Sequence, residues 1–221
     1  MANPIPVIAI DGPSASGKGT VAQLVAEQLD YHYLDSGALY RIVALAAHKE
    51  DIAWNEAADI ASLVPRLDIR FEGDQIFLDG ENVSDQIRTE LMGQGASQVA
   101  AHPQVRSALT KLQHTFRKAP GLVADGRDMA TVIFPDAITK IFLTASAEVR
   151  AERRYQQLVK KGVAADYAAI LKDLQDRDAR DSTRAVAPLK QAPDAELLDT
   201  SHLNIEEAVS KALALIQSHS I

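Results

Sequence analysis

The stretch Gly12-Pro13-Ser14-Ala15-Ser16-Gly17-Lys18-Gly19-Thr20 places a lysine directly after the second of two spaced glycines. Glycine lets a backbone approach a ligand closely, and the N–H groups of a tight loop and the helix after it present partial positive charge. A lysine at this point can reach the outer phosphates of a nucleoside triphosphate. The strict pattern has Ser or Thr immediately after the lysine; here Gly19 takes that slot and Thr20 follows. The chemistry implied is ATP binding, and every residue from Gly12 to Thr20 is a candidate contact.

Phosphoryl transfer also needs positive charge around the donor, the acceptor and the group in flight, with little covalent work for the protein. Arginine suits this because its fork binds phosphate oxygens bidentately and stays charged. Arg41, Arg127, Arg150, Arg153 and Arg154 are placed to serve, and Arg177, Arg180, Asp181 and Arg184 recur at helical spacing. The competing reading of such mixed charge is a solvated, salt-bridged helix face. Asp125 ends an apolar run, as does the acid that holds magnesium or its waters in phosphate-loop proteins. Metal ligation by histidine is not supported, since the 6 histidines are scattered, and no Ser–His–Asp arrangement stands out. A guanine-binding Asn/Thr-Lys-x-Asp motif is missing: Thr110-Lys111 leads to Gln113 and Thr139-Lys140 to Phe142.

Bulk properties narrow the partners. The 221 residues carry 23 Lys plus Arg against 30 Asp plus Glu, a net charge of -7. An acidic chain is a poor non-specific binder of nucleic acid or anionic membrane, so neither is expected as a partner. With Cys 0, disulfides, thiolate nucleophiles and zinc–sulfur sites are excluded. The apolar run near the N-terminus stops at Asp11, too short for a signal segment or membrane span, which predicts a cytoplasmic protein.

These residues must be held by an α/β frame. Ile5–Asp11 reads as a buried parallel strand, followed by helical spacing at Val21, Leu24, Val25, Gln28 and Leu29. Tyr31–Asp35 is a second strand and Ala38–Lys49 a second helix, the opening of a doubly wound sheet. Asp68–Glu72 and Gln75–Leu78 alternate around Gly73-Asp74, a hairpin signal, and Asp79-Gly80 marks another turn. Residues 63–102 therefore read as an insertion with a small antiparallel sheet, flanked by a core of 1–62 and 103–221. A helix is expected over Pro103–Lys118, then strands at Leu122–Asp125 and Lys140–Thr144. Polar helices at Ala147–Lys161 and Asp166–Arg180 are broken by Gly162. A last strand, Glu196–Asp199, leads to a helix that Asn204 caps, with Glu207 placed for a capping box.

Taken in order, Gly12–Thr20, Asp35-Ser36-Gly37-Ala38-Leu39-Tyr40-Arg41, Ile87-Arg88-Thr89, Ala96-Ser97-Gln98-Val99-Ala100, Asp125-Gly126-Arg127-Asp128 and Arg177–Leu189 resemble bacterial cytidylate kinases from Ile8 to about Ala214. The resemblance implies a P-loop kinase fold: a five-stranded parallel sheet flanked by helices, an NMP-binding insertion and a helical lid around 147–165. It implies transfer of the ATP γ-phosphate to CMP or dCMP with Mg2+, by a monomer. By position, Ser97, Arg106 and Asp128 would meet the cytosine, helped by Arg184, and Arg177 and Asp181 the sugar. Ser36, Arg41, Arg88 and Arg127 would surround the acceptor phosphate. Arg150, Arg153 and Arg154 would close on the donor phosphates, and Lys18 would reach them from the loop. Ala15-Ser16 stands where the family more often has Gly-Ala, and an alanine there is expected to avoid positive φ. Ala130 stands where a glycine commonly follows the Arg-Asp pair. Without the resemblance, another phosphate-loop small-molecule kinase or a non-catalytic nucleotide-binding module stays open.

Overall fold

The computed structural model describes residues 4–72 and 75–219. In chain order the elements are β1 (Val7–Asp11), α1 (Lys18–Leu29), β2 (His32–Asp35), α2 (Ser36–Lys49), α3 (Ala57–Leu63), β3 (Ile69–Glu72), β4 (Gln75–Leu78) and β5 (Glu81–Asn82). They continue as α4 (Glu90–Val99), α5 (Pro103–His114), β6 (Leu122–Gly126), β7 (Thr139–Thr144), α6 (Ala147–Lys160), α7 (Tyr167–Thr183), β8 (Glu196–Asp199) and α8 (Ile205–His219). Two compact units result: one runs to Asp35 and resumes at Thr115, and the other is Ser36–His114. The expected Gly73-Asp74 hairpin turn lies outside the described residues.

The first unit is built on a five-stranded parallel sheet of order β2-β6-β1-β7-β8. Its central strand, β1, is buried along its whole length, which is why it reads as an unbroken apolar run rather than an alternating one. Ile8, Ile10, Val25, Val123, Ile141 and Ala212 belong to one core cluster between the sheet and helices α1 and α8. Register sets the chemistry: Ile10 lies opposite Asp125 and Asp11 opposite Gly126. The carboxyl ends of β1 and β6 therefore deliver their acids to one place. Strand order reverses there, the usual ligand crevice of an open α/β sheet. The capping box at the head of α8 forms as expected, with Glu207 N–H donating to Asn204 and Asn204 N–H to Glu207, both at 2.9 Å.

The second unit holds α2–α5 and the antiparallel sheet β3-β4-β5. Both expected hairpin strands are present. Two helices, α3 and α4, were not legible in the same stretch. The α4 sequence ELMGQGASQV carries glycines at 93 and 95, which weaken helix propensity. Tertiary packing compensates. Thr89 caps the helix by accepting the Met92 N–H at 3.3 Å, and the Trp54 ring packs where a Gly95 side chain would be. A Cβ on Gly95 would fall 2.6 Å from that ring. Trp54 is itself pinned by its indole N–H on the Ala44 carbonyl of α2 at 3.0 Å.

Gly95→Ala should therefore lose stability overall, although alanine is worth up to ~1 kcal/mol in helix propensity. Overpacking against a rigid ring typically costs ~1–3 kcal/mol. Urea unfolding followed by the fluorescence of Trp54, the sole tryptophan, should show a lower midpoint with an unchanged slope.

Candidate active site

Gly12 leaves β1 at a point with no room for a side chain: a Cβ would sit 1.9 Å from the Leu143 carbonyl oxygen of β7. Beyond it the loop turns through two residues at positive φ, Ala15 at 57° and Gly17 at 88°. The expectation that Ala15 avoids that region is thus incorrect. The turn demands a left-handed residue there, and alanine adopts it at a cost of about 1–2 kcal/mol. Gly17 caps α1, so the helix begins at Lys18. Gly19 in the usual Ser/Thr slot also has a steric reason, because its Cβ position lies 3.2 Å from Asp125 Oδ2.

A loop that offers its N–H groups to a ligand turns carbonyl oxygens away from it, and these need donors of their own. Arginines of α6 supply them. Arg150 donates to the Ser14 carbonyl at 3.1 Å and Arg153 to the Ser16 carbonyl at 3.2 Å. The Val21 N–H donates to the Gly17 carbonyl at 3.1 Å. Arg153 is anchored behind by the Thr200 and Leu203 carbonyls at 2.6 and 3.3 Å. Arg150 places its fork on Asp178. Arg154 donates to Gln157 Oε1 at 3.4 Å. Arg127 reaches the loop from the carboxyl end of β6, with Nη2 on Ser14 Oγ at 2.9 Å and Nε on Asp181 at 3.1 Å.

Lys18 Nζ lies 3.5 Å from Asp125 Oδ1, and both side chains are buried. Burial lowers the lysine pKa and the adjoining Arg127 lowers it further, while Asp125 and Asp35 raise it. Burial likewise raises that of Asp125, against the pull of Lys18. The Tyr33 hydroxyl is 3.4 Å from Asp125 Oδ2. Ser16 Oγ and Asp125 Oδ1 are buried and make no hydrogen bond among the described residues. No cluster of three or more His, Cys, Asp or Glu able to hold a metal exists among the described residues. A kinase Mg2+ ion needs none, being held by one or two carboxylates, phosphate oxygens and water. Asp125 fits such a site.

On the same unit, Arg184 approaches Asp128 at 3.6 Å, with its Nε on the Ala187 carbonyl at 2.5 Å. Arg177 is buried on α7 and pairs with Asp173 at 3.8 Å. Ser36, Arg41, Arg88, Ser97 and Arg106 belong to the second unit. Ser36 is buried at the start of α2. Arg41 ties α2 to the segment bearing Arg88 by donating to the Ile87 and Thr89 carbonyls at 2.8 and 3.1 Å. Arg88 is exposed. Arg106 is buried over the Tyr40 ring at 5.5 Å and donates to the Ala100 carbonyl, just past Ser97 on α4.

Sequence reasoning overlooked Asp11, Asp178 and Thr200. The signal for Asp11 was available: a charged residue closing a fully apolar strand. Its carboxylate accepts the Met129 and Ala130 N–H groups, each at 2.8 Å, and so fixes the turn that carries Asp128. Ala130 serves there without the positive φ that would call for glycine. Burial pushes the Asp11 carboxyl up to about 7, against the two amide donors and with help from Asp128 and Asp125. From its ordinary value of 3.8 up to about 7, the native chain holds a proton that the unfolded chain has released. Stability should then fall as pH rises through that window, by at most ~1.4 kcal/mol per pH unit. Urea midpoints measured across the window should show this slope in the wild type. Asp11→Asn should flatten it while lowering the midpoint throughout, since the amide presents a donor to one of the two N–H groups.

A sequence profile of the cytidylate kinase family matches residues 8–218. A cytidylate kinase of Polynucleobacter asymbioticus is 61% identical over 97% of this chain and 97% of its own length. One of Cupriavidus pinatubonensis is 57% identical over 94% of each. A crystal structure of a protein from Eubacterium ventriosum shares the fold, with a TM-score of 0.50 at 14% identity over 96% of this chain and 99% of its own. No helix among the described residues is long and apolar enough to cross a membrane. On its sequence, the chain belongs to the cytidylate kinase family.

Proposed function

We propose that this enzyme transfers the γ-phosphate of ATP to CMP or dCMP, giving ADP and CDP or dCDP, as a cytoplasmic monomer in pyrimidine nucleotide metabolism. Membership of the cytidylate kinase family over residues 8–218 is the observation that carries the reading. A phosphate loop backed by arginine on its carbonyl side supports it. A phosphate oxygen of the acceptor attacks the γ-phosphorus in line. The new O–P bond forms as the bond to the ADP oxygen breaks. The attacking monoester dianion is already nucleophilic, so no general base is required. Lys18, buried near Arg127, regains favourable surroundings when a polyphosphate meets it. Asp125 would hold Mg2+, which when bound would neutralise phosphate charge.

In this reading the second unit and the turn after β6 recognise the acceptor. Ser97, Arg106 and Asp128, with Arg184, take the cytosine; Arg177 and Asp181 take the sugar; Ser36, Arg41, Arg88 and Arg127 take the phosphate. The pairing of Arg184 with Asp128 supports a shared role for those two. Residues 63–102 form the NMP-binding insertion and residues around 147–165 the lid, whose Arg150, Arg153 and Arg154 act on the donor side. Water exclusion by these parts would suppress wasteful hydrolysis. Neither nucleic acid nor membrane is a partner of an acidic chain of this kind.

A coupled ADP-release assay over AMP, GMP, UMP, CMP, dCMP and dTMP tests the substrate. CMP and dCMP should turn over fastest; equal or faster turnover of any other nucleotide would overturn the assignment. Lys18→Ala should lower kcat with CMP by ~10²–10³-fold, the scale seen when one preorganised electrostatic contact is removed.

A further inference from the structure

Ser14 is gripped twice. Arg150 Nη1 holds its carbonyl at 3.1 Å and Arg127 Nη2 holds its hydroxyl at 2.9 Å. Each arginine is anchored on an α7 carboxylate, Arg127 on Asp181 at 3.1 Å and Arg150 on Asp178. The two carboxylates are three residues apart, so they stand on one face of the helix about one turn apart. Asp178 takes the Arg150 fork bidentately, at 3.1 Å from Nη1 and 2.5 Å from Nη2. The remaining constraint comes from Arg150 Nε on the Ala145 carbonyl at 2.9 Å.

This geometry fixes the guanidinium plane. One bond from Nε and two to a carboxylate leave the plane no freedom to rotate, so Nη1 can meet the Ser14 carbonyl only where Asp178 puts it. The Arg150 side chain is 5% exposed, while that of Asp178 is 29% exposed. A buried guanidinium needs its counter-charge, and Asp178 is the carboxylate that supplies it. The exposed pair on α7 differs: Lys172 and Asp176 also meet, at 2.6 Å, but both lie in solvent and touch no part of the loop through that contact.

We propose that Asp178 is a positioning residue for phosphoryl transfer, holding Arg150 in the one orientation that braces the phosphate loop at Ser14. It touches neither nucleotide. Its effect reaches the donor through Arg150 and the Ser14 carbonyl, and so through the placement of the loop amides before Lys18. The inference rests on the kinase reading for its turnover measurements and only on ATP binding for the rest.

The test compares Asp178→Asn and Asp178→Glu with the wild type in the full-length protein, well below each melting temperature. Kinetic constants come from ADP release, and ATP affinity from calorimetry without acceptor. Asp178→Asn should raise the Kd for ATP and lower kcat by ~10-fold each, as expected for a small misplacement of reacting groups. The KM for CMP should stay within ~2-fold, and Asp178→Glu, which restores the charge and the fork, should recover most of both losses. An Asp178→Asn protein that melts earlier but binds ATP and turns over like the wild type would overturn the proposal, as would a loss confined to the KM for CMP. Should Asp178→Asn fail to fold, Asp178→Ser, whose hydroxyl can still accept one guanidinium N–H but cannot hold the fork, carries the test: it should weaken ATP binding while leaving the KM for CMP within ~2-fold, and unchanged ATP affinity would refute the role. If the wild type turned over no CMP, the function above would fall, yet the change in ATP Kd would still decide this inference.

Discussion

A backbone that spends its amide N–H groups on a ligand must find other donors for its carbonyl oxygens. In this enzyme that constraint organises everything around the phosphate loop. Ser14, Ser16 and Gly17 each direct a carbonyl to a donor, two of them to arginines of α6. Arg150 lies in the interior and Arg153 is half-buried, where charge is costly, so each carries further partners with it. Asp178 faces Arg150, and the carbonyls of Thr200 and Leu203 face Arg153. Helices α6 and α7 and the turn after β8 are thus tied to a loop that lies far from them in sequence.

The parallel sheet solves a second problem, which is how to gather charged groups without unfolding the core. Strands β1 and β6 are apolar until their last residues and end together in register. Only at that edge do Asp11, Asp125 and Lys18 come close. Each is buried, and each has a role that justifies the burial: Asp11 holds the Asp128 turn, and Lys18 and Asp125 face one another beside the loop. Steric limits fix the remaining geometry. Gly12 passes against β7 where no side chain fits, and Gly19 lets Asp125 approach the helix backbone.

In the second unit the same economy appears with small residues and one large ring. Trp54 hangs from the Ala44 carbonyl and fills the gap that Gly95 leaves, which lets α4 pack on α2. His102 reaches the Trp54 carbonyl at 2.8 Å and ties the same loop to the start of α5. Ser97 and Arg106 are carried on that framework, and Arg41 braces the strap bearing Arg88.

Much of this is legible in the sequence. Fully buried strands such as β1 and β6 are apolar runs, and the capping box at Asn204 and Glu207 is a local pattern that needs nothing beyond its own turn. The phosphate loop is equally local, since glycine, lysine and the helix after them act over adjacent residues. The order of motifs along the chain identified the family. Other features depended on distant atoms. Helix α4 was hidden because its glycines answer to Trp54 rather than to propensity. The left-handed Ala15 was hidden because the path of the loop, not the residue, sets that angle. On α7 the charge pattern is the same for Lys172–Asp176, which lies in solvent, and for Asp178, which anchors a buried arginine. Sequence alone determined which chemical groups are present, how the strands alternate with helices and which family the chain belongs to. Tertiary structure alone decided which of its arginines grip the loop and which carboxylates hold them, because hydrogen-bond partners between 28 and 137 residues apart leave no periodicity to read.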